Sequence, residues 1–220
     1  MPDAEASFYL KQMEIGPMEN FVYFLGDKTT REVFVVDPAW QMDTILRAAK
    51  EEDLKIKGAL ISHYHFDHTN GIEELLESVN CPVYVNKKDV PYLEYSHDNI
   101  KPTDNGQKLK AGNVEIELVH TPGHTPGSQC FYVRGHLVSG DTLFIGACGR
   151  TDLPGGDAKA MYATLTQRLM KFDDSTILCP GHNYATKPTT TMGEEKKTNP
   201  YLLCDSLDNF LKFRTGVGSY

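Results

Sequence analysis

The most informative segment of this chain reads Ile61-Ser62-His63-Tyr64-His65-Phe66-Asp67-His68. It places three imidazoles and one carboxylate within six residues, directly after a strand-like apolar run at residues 56–61. Buried histidine and aspartate each need a polar partner, and a metal ion is a common one. Neutral imidazole and carboxylate groups are suitable ligands for zinc and iron. The H-x-H-x-D-H spacing offers ligand side chains that point in more than one direction. The segment therefore predicts a metal site at the end of a strand.

Other polar segments also follow predicted strands. They are Asp37 and residues 121–127, 140–142 and 180–182. Together with residues 63–68 they hold five of the eight histidines. Glycine and proline in these segments permit tight loops, so we expect the strand ends to bring their side chains to one rim.

The pattern of apolar residues predicts the order of elements along the chain. Strands are predicted at residues 8–15, 21–25, 32–36, 57–62, 81–85, 113–120, 128–133, 136–139 and 176–178. Helices are predicted at 43–52, 68–79 and 157–171, with one or two more in a tail at about 189–220, where Ser206 is a candidate cap. Residues 86–105 are polar and predict a helical turn within a surface loop. This order indicates an α+β fold of two packed sheets with outer helices, in a single domain, 1–220.

Composition narrows the class of partner. The chain has 220 residues and a formal net charge of −8. This charge argues against nucleic-acid binding, which needs a basic face. No apolar run approaches the length of a membrane span, so we expect no membrane partner.

The cysteines and the N-terminus bear on location. Five cysteines are widely spaced without a CxxC pair, which favours free thiols in a reducing cytoplasm over disulfide bonds. The first five residues are acidic and form no apolar leader segment, so a cytoplasmic protein is expected. A secreted form that has lost its leader would look the same.

Four motifs in order carry a resemblance to a known family. They are H-x-H-x-D-H at 63–68, P-G-H-T-P-G-S at 122–128, S-G-D-T-L-F at 139–144 and P-G-H-N-Y at 180–184. In this order they resemble the metallo-β-lactamase fold superfamily, across roughly residues 20–203. The resemblance implies an αββα sandwich of two packed mixed β-sheets with outer helices, and a dinuclear metal site on one edge.

The resemblance also implies roles for individual residues. One ion would be bound by His63, His65 and His124, and the other by Asp67, His68 and His182. Asp141 would bridge both ions, and Asp37 would orient a ligand histidine. His120 competes with His124 for the third imidazole, but the P-G-H context favours His124. A water or hydroxide would sit between the ions, with Asp67 available to handle its proton.

Two branches of the superfamily fit the remaining motifs. Residues 141–144, 148–150 and 181–184 resemble glyoxalase II-like hydrolases of glutathione thioesters, in which Arg150 and Tyr184 would border the substrate. Residues 149–152 and 193–202 look closer to the persulfide dioxygenases, which use a single iron held by the equivalents of His63, His124 and Asp141. Only 36 residues follow Tyr184, whereas the thioesterases have a long helical C-terminal region, so the thiol part of the substrate stays open.

The favoured hypothesis is a metal-dependent hydrolase that cleaves a thioester with a metal-bridging hydroxide. Its cofactors would be two divalent ions, zinc first, with iron or manganese as alternatives. Its substrate would be a small thiol-derived molecule, with a glutathione conjugate as one candidate. The alternative is a mononuclear Fe(II) dioxygenase acting on glutathione persulfide, and a third hypothesis is a metal-binding scaffold without catalysis. The oligomeric state is left open.

Overall fold

The structure, a computed structural model, describes residues 7–94 and 96–215. Residues 1–6, 95 and 216–220 lie outside the described part. The acidic N-terminus and the outer ends of the expected domain 1–220 and of its tail therefore lie outside it too.

The first sheet is mixed and has the spatial order β1-β2-β3-β4-β5-β6. Its strands are Phe8–Ile15, Asn20–Asp27, Glu32–Val36, Lys55–Leu60, Val83–Asn86 and Ile100–Thr103. The first three strands form an antiparallel meander, and β3 to β6 are parallel neighbours. The helices on this side are α1, α2 and α3, at Met42–Glu51, Phe66–Thr69 and Ile72–Ser78.

The second sheet is also mixed and has the order β14-β13-β10-β9-β8-β7. In chain order, β7 to β10 are Lys108–Ala111, Val114–His120, Gln129–Val133 and His136–Gly140, and β13 and β14 are Ile177–Pro180 and Thr190–Thr191. A separate two-stranded ribbon pairs β11, Leu143–Phe144, with β12, Ala147–Cys148. The helices on the side of the second sheet are α4, α5 and α6, at Ala158–Gln167, Met192–Thr198 and Leu207–Thr215.

Buried apolar side chains form three layers, as the αββα order requires. The alternation along β2 shows how: Val22 and Phe24 pack toward α1 and α3, whereas Tyr23 and Leu25 pack toward the second sheet. A third layer lies between the second sheet and α4 to α6 and includes Phe210. The predicted α+β sandwich of two mixed sheets with outer helices is confirmed.

Most predicted elements are present, and the hairpin at residues 128–139 has a clear physical cause. Val133 pairs with His136, and the two residues between them, Arg134 and Gly135, have φ angles of 46° and 72°. Positive φ at both positions suits the tight turns that match strand twist. The tail forms two helices, and Ser206 caps α6 by accepting a hydrogen bond from the Asn209 N–H at 3.3 Å.

Three predictions were wrong in detail. Residues 86–105 contain the expected helical turn at Val90–Tyr92 but also strand β6, whose Pro102 is tolerated because this is an edge strand. The helix expected at 68–79 is two helices separated at Asn70 and Gly71, where Gly71 packs so close to α1 that a Cβ would sit 2.7 Å from the Met42 Sδ. The helix expected at 157–171 ends at Gln167 and is followed by a short 3₁₀ turn, Leu169–Lys171.

All five cysteines are free thiols, and four of them are buried. Within the described residues, none of the helices has both the length and the apolar character needed to cross a membrane.

Candidate metal centre

The ends of five strands meet at one edge of the sandwich and carry the predicted ligands. Asp37 follows β3, residues 62–68 follow β4, His124 follows β8, Asp141 follows β10 and His182 follows β13. The structure brings together all seven predicted ligand residues at this edge. Their roles as ligands stay a prediction.

The donor atoms form two triads with a shared carboxylate between them. Within each triad, His63, His65 and His124 or Asp67, His68 and His182, the candidate ligand atoms lie within 4.8 Å of one another. Asp141 reaches both triads. Its Oδ1 lies 3.3 Å from the His68 Nε2 and 3.4 Å from the His182 Nε2, whereas its Oδ2 lies 3.6 Å from the His124 Nε2. The two oxygens of one carboxylate therefore face different triads, as a bridging ligand requires.

Four of the histidines are held through Nδ1, which leaves Nε2 to face the centre. The His124 Nδ1–H donates to the Arg150 carbonyl at 2.7 Å, and the His182 Nδ1–H donates to the Met18 carbonyl at 2.8 Å. The His68 Nδ1–H donates to the Asp37 Oδ2 at 2.9 Å. Each of these acceptors lacks a proton, so Nδ1 carries the hydrogen of each bond and Nε2 is the nitrogen that faces the centre.

Asp37 holds ligands of both triads. The Ser62 N–H donates to its Oδ1 at 2.7 Å, and the Ser62 Oγ–H donates to its Oδ2 at 2.6 Å. Because the Ser62 hydroxyl spends its proton on Asp37, it accepts from the His63 Nδ1–H at 3.0 Å. The Asp37 backbone has a φ of 50°, a conformation that few residues other than glycine adopt. Such local strain is typical of functional sites. The predicted orienting role of Asp37 fits these contacts.

Burial and neighbouring charge set different protonation in the two triads. Burial lowers the pKa of His63 and His124, and lowers the pKa of His65 to about 4. For His68 and His182, the carboxylates of the centre outweigh burial and raise the pKa, to about 9 for His182. The same imidazoles hold the pKa of Asp67 and Asp141 well below the usual range, against burial. Burial thus favours the neutral form of the imidazoles in the first triad, whereas the carboxylates favour protonated His68 and His182, and ion binding would have to displace those protons.

Divalent ions fit this arrangement. The Nε2 atoms of His63 and His124 lie 3.2 Å apart, and so do those of His68 and His182. In the described part of the chain, the Asp141 Oδ1 is one of two buried side-chain oxygens without a hydrogen-bond partner. Gly181 makes room for it, because a Cβ there would lie 2.5 Å from that oxygen. Converging lone pairs and an unpaired carboxylate oxygen are what bound cations would satisfy.

Asn20 supports the second triad and was missed by the sequence analysis. Its Nδ2 donates to the Asp67 Oδ2 at 2.9 Å and to the Asp67 carbonyl at 3.0 Å, while its Oδ1 accepts from the Trp40 Nε1 at 2.9 Å. Asn20 lies 47 residues before Asp67, so no local motif could reveal the contact.

Asp89 is a second residue that the sequence analysis missed. It is fully buried and joins the two loops that carry the first triad. It accepts from the Tyr64 N–H at 3.1 Å, from the Thr125 Oγ1–H at 2.7 Å and from the Gly127 N–H at 2.6 Å. Its only sequence signal is a lone aspartate in a polar loop. Its partners place it as a brace between the His63–His65 loop and the His124 loop.

Asp89→Asn is expected to change the pH dependence of stability. Burial raises the pKa of Asp89 from 3.8 to about 6, although its three donors oppose this. The folded state thus binds this proton more tightly than the unfolded state, and ionisation costs stability as pH rises from about 4 to about 6. The free energy of urea unfolding of the metal-free wild type, minus that of the variant, should fall by up to about 3 kcal/mol over this range. A difference that is constant with pH would contradict this.

The other candidate residues lie in distinct settings. The Arg150 guanidinium is exposed and pairs with Asp152, at 3.0 and 2.7 Å, so in this structure it is the Arg150 carbonyl that contacts the centre. The Tyr184 ring stacks on His182 with centroids 4.6 Å apart. Their substrate-binding roles stay predictions.

His120 points away from the cluster, and its Nε2–H donates to the Pro126 carbonyl at 2.9 Å.

Two mixed sheets, outer helices and a His/Asp cluster at the common strand edge define a metal-site protein of the αββα class. The chain belongs to the metallo-beta-lactamase superfamily, whose family model matches residues 15–182. The resemblance carried by the four motifs is thereby confirmed.

Three relatives illustrate the range of this family. The chain is 29% identical over 196 residues to the "Probable polyketide biosynthesis zinc-dependent hydrolase PksB" of Bacillus subtilis, covering 89% of this chain and 87% of the relative. It is similar to the crystal structure of ETHE1 from Myxococcus xanthus, with 27% identity, a TM-score of 0.86 and coverage of 96% and 92%. It is also similar to TTHA1623 in a di-iron-bound form, with 31% identity, a TM-score of 0.77 and coverage of 87% and 100%. The Bacillus subtilis relative is described as zinc-dependent and TTHA1623 holds two irons, so the metals named for these two proteins differ.

Proposed function

We propose that this protein is a dinuclear metallohydrolase that cleaves thioesters of small thiol-derived molecules. The observation that carries the proposal is Asp141, whose two oxygens face different triads. Two groups of donors with one carboxylate between them suit two ions. Bound divalent ions would supply an activated water as the nucleophile and a Lewis acid for the thioester carbonyl.

The chain's own residues supply access and proton handling. The side chains of Asp67 and Asp141 are 15% and 13% exposed, whereas those of His68, His124 and His182 are exposed by 4% or less. His65 is also only partly buried, so the centre is open beside its carboxylates and His65, and a substrate carbonyl would approach there. Asp67, held by Asn20, is the carboxylate to which we assign the proton that attack by water releases.

A thioester suits a centre with few groups that can protonate a leaving group. An amine or alkoxide leaving group needs a proton, whereas a thiol with a pKa near 8.5 leaves as the thiolate. The Nδ1 protons of His63, His68, His124 and His182 are all engaged in hydrogen bonds. Burial raises the pKa of the Tyr184 hydroxyl to about 12, so it is a weak acid.

An iron dioxygenase is the second candidate, because His63, His124 and Asp141 form a two-histidine, one-carboxylate set of the kind that holds non-haem iron. The His63 and His124 Nε2 atoms are 3.2 Å apart, and the Asp141 Oδ2 lies 3.6 Å from the His124 Nε2. The likeness to ETHE1 also favours this candidate.

His182→Ala separates the two candidates, because it removes a ligand from the second triad and leaves the two-histidine, one-carboxylate set intact. We expect the wild type, purified without added metal, to hold close to two ions per chain and to hydrolyse S-lactoylglutathione or another thioester. The variant should hold about one ion and lose at least about 100-fold in thioesterase activity. Exposed His97→Ala is the control and should match the wild type. One iron per chain, oxygen uptake with glutathione persulfide and no thioesterase activity would establish the second candidate instead.

A further inference from the structure

Exposed apolar side chains are concentrated around the metal centre. In the described part of the chain, seven large apolar side chains are well exposed: Met18, Phe66, Tyr92, Met170, Tyr184, Leu203 and Phe213. Met18, Phe66 and Tyr184 are next to a predicted ligand in the chain or contact one, and Tyr92 stacks on Tyr64, which lies between His63 and His65 in the chain. We call these four the apolar rim.

Each rim residue is tied to the centre by a specific contact. Phe66 lies between His65 and Asp67 in the chain and packs edge-on against Trp40, with centroids 5.8 Å apart. The Met18 carbonyl accepts from His182, and Tyr184 stacks on the same imidazole.

Tyr92 completes the rim on the other side. It stacks on Tyr64 at 4.9 Å, and Tyr64 in turn contacts His65 at 4.7 Å. The rim residues are 44% to 59% exposed, so part of their apolar surface faces solvent near the predicted ligands. Exposed apolar surface beside a reactive centre marks a binding site for apolar groups.

The charges near the rim do not favour an anionic substrate. The Glu19 carboxylate lies near enough to Tyr184 to act on its ionisation, and the chain carries a net charge of −8. Two arginines lie near Cys148, and both have partners within the chain. Arg150 pairs with Asp152, and Arg214 lies over the Tyr201 ring. A tripeptide thiol with free carboxylates would find its counter-charges engaged, whereas a hydrocarbon group would find open apolar surface.

We infer that the apolar rim binds a hydrocarbon group next to the thioester bond, so that the preferred substrates are thioesters with an apolar acyl chain or an apolar thiol arm. This inference rests on the proposed thioesterase function. Each methylene that leaves water on the rim strengthens binding of the reacting complex, by up to about fourfold in kcat/KM if it is fully buried.

A chain-length series tests the inference on the metal-loaded protein. One series would extend the acyl group from acetyl to octanoyl on a fixed N-acetylcysteamine thiol, and a second would extend an alkanethiol on a fixed acetyl group. We expect kcat/KM to rise by about two- to fourfold per methylene in at least one series. Met18→Ala and Tyr92→Ala should reduce that slope with unchanged metal content. Met170→Ala is the matched control, since Met170 is exposed but lies in the turn before β13, away from the ligand loops, and should leave the slope unchanged.

The outcomes separate this inference from the proposed function. Hydrolysis that does not depend on chain length in either series, or that requires the glutathione group, would overturn the inference and leave the thioesterase standing. No hydrolysis of any thioester would remove the proposed function itself. Sedimentation velocity tests whether a second copy of the chain binds the rim instead. A wild-type dimer that becomes monomeric in Met18→Ala would show that the rim is an interface between copies, which would also overturn the inference.

Discussion

Asp141→Asn is expected to lose metal from at least one triad and to lower thioesterase activity by at least about 10²–10³-fold, the loss that follows removal of one preorganised contact to the reacting atoms. Asparagine has one oxygen and one NH₂ group in place of two equivalent oxygens. Whichever way the amide turns, one triad loses its acceptor and faces two N–H hydrogens. The Asp141 oxygens approach His68 and His182 on one side and His124 on the other, so the triad that faces the NH₂ group loses its shared oxygen.

Metal content by mass spectrometry and thioesterase rate on the same sample measure this effect. We expect fewer than two ions per chain in the variant. Exposed Asp98→Asn carries the same chemical change away from the centre and should match the wild type. Full metal content and unchanged activity in Asp141→Asn would show that the cluster is not the working site.

Asp37→Asn is expected to lower activity by about 10²–10⁴-fold although Asp37 is itself no predicted ligand. Asparagine suits the left-handed backbone at this position, so the change tests the carboxylate and leaves the strained conformation intact. The amide retains one acceptor for the Ser62 N–H and presents an NH₂ group to the Ser62 hydroxyl and to His68. Both imidazoles that depend on this carboxylate must then turn to another tautomer. A triad histidine held in the wrong tautomer costs a serine protease a factor of about 10⁴.

The histidine tautomers explain why one residue that is not a predicted ligand would affect both triads. If the Ser62 hydroxyl accepts from the new NH₂ group, it donates to the His63 Nδ1, and the His63 proton moves to Nε2. His68 loses its Asp37 acceptor and likewise carries its proton on Nε2. Each triad then has a ligand nitrogen blocked by hydrogen. Breaking the buried contact between Asp37 and His68 should also lower the free energy of unfolding, by about 3–5 kcal/mol.

Ser62→Ala is the matched control for this prediction. It removes the connection to His63 and leaves the contact between Asp37 and His68 in place, so only the first triad should weaken. Long-range ¹H–¹⁵N spectra of the histidine rings report the tautomers directly. Unchanged ring tautomers in Asp37→Asn would contradict the account even if the activity falls.

The location of the centre was predictable because it depends on local pattern. A strand that ends in a polar, glycine-containing segment delivers its side chains to the sheet edge, and each predicted ligand lies just past a strand end. The alternation of Val22 and Phe24 with Tyr23 and Leu25 likewise assigns each face of β2 from the sequence. The prediction failed where tertiary contacts override pattern, as at Gly71, which is placed by its approach to Met42, and at the edge strand containing Pro102.

The sequence by itself determined the donor types, their order and the family, since these depend on residue identity and spacing alone. Only the tertiary structure decided how each donor is aimed. The acceptor of the His182 Nδ1–H is a carbonyl 164 residues away, and that of the His124 Nδ1–H belongs to Arg150, a residue predicted for its side chain. Asn20, Asp89 and the apolar rim also become neighbours of the centre only when the sheets pack. Hydrogen-bond direction and exposed surface are properties of the assembled fold, because they depend on groups that the chain brings together from distant positions.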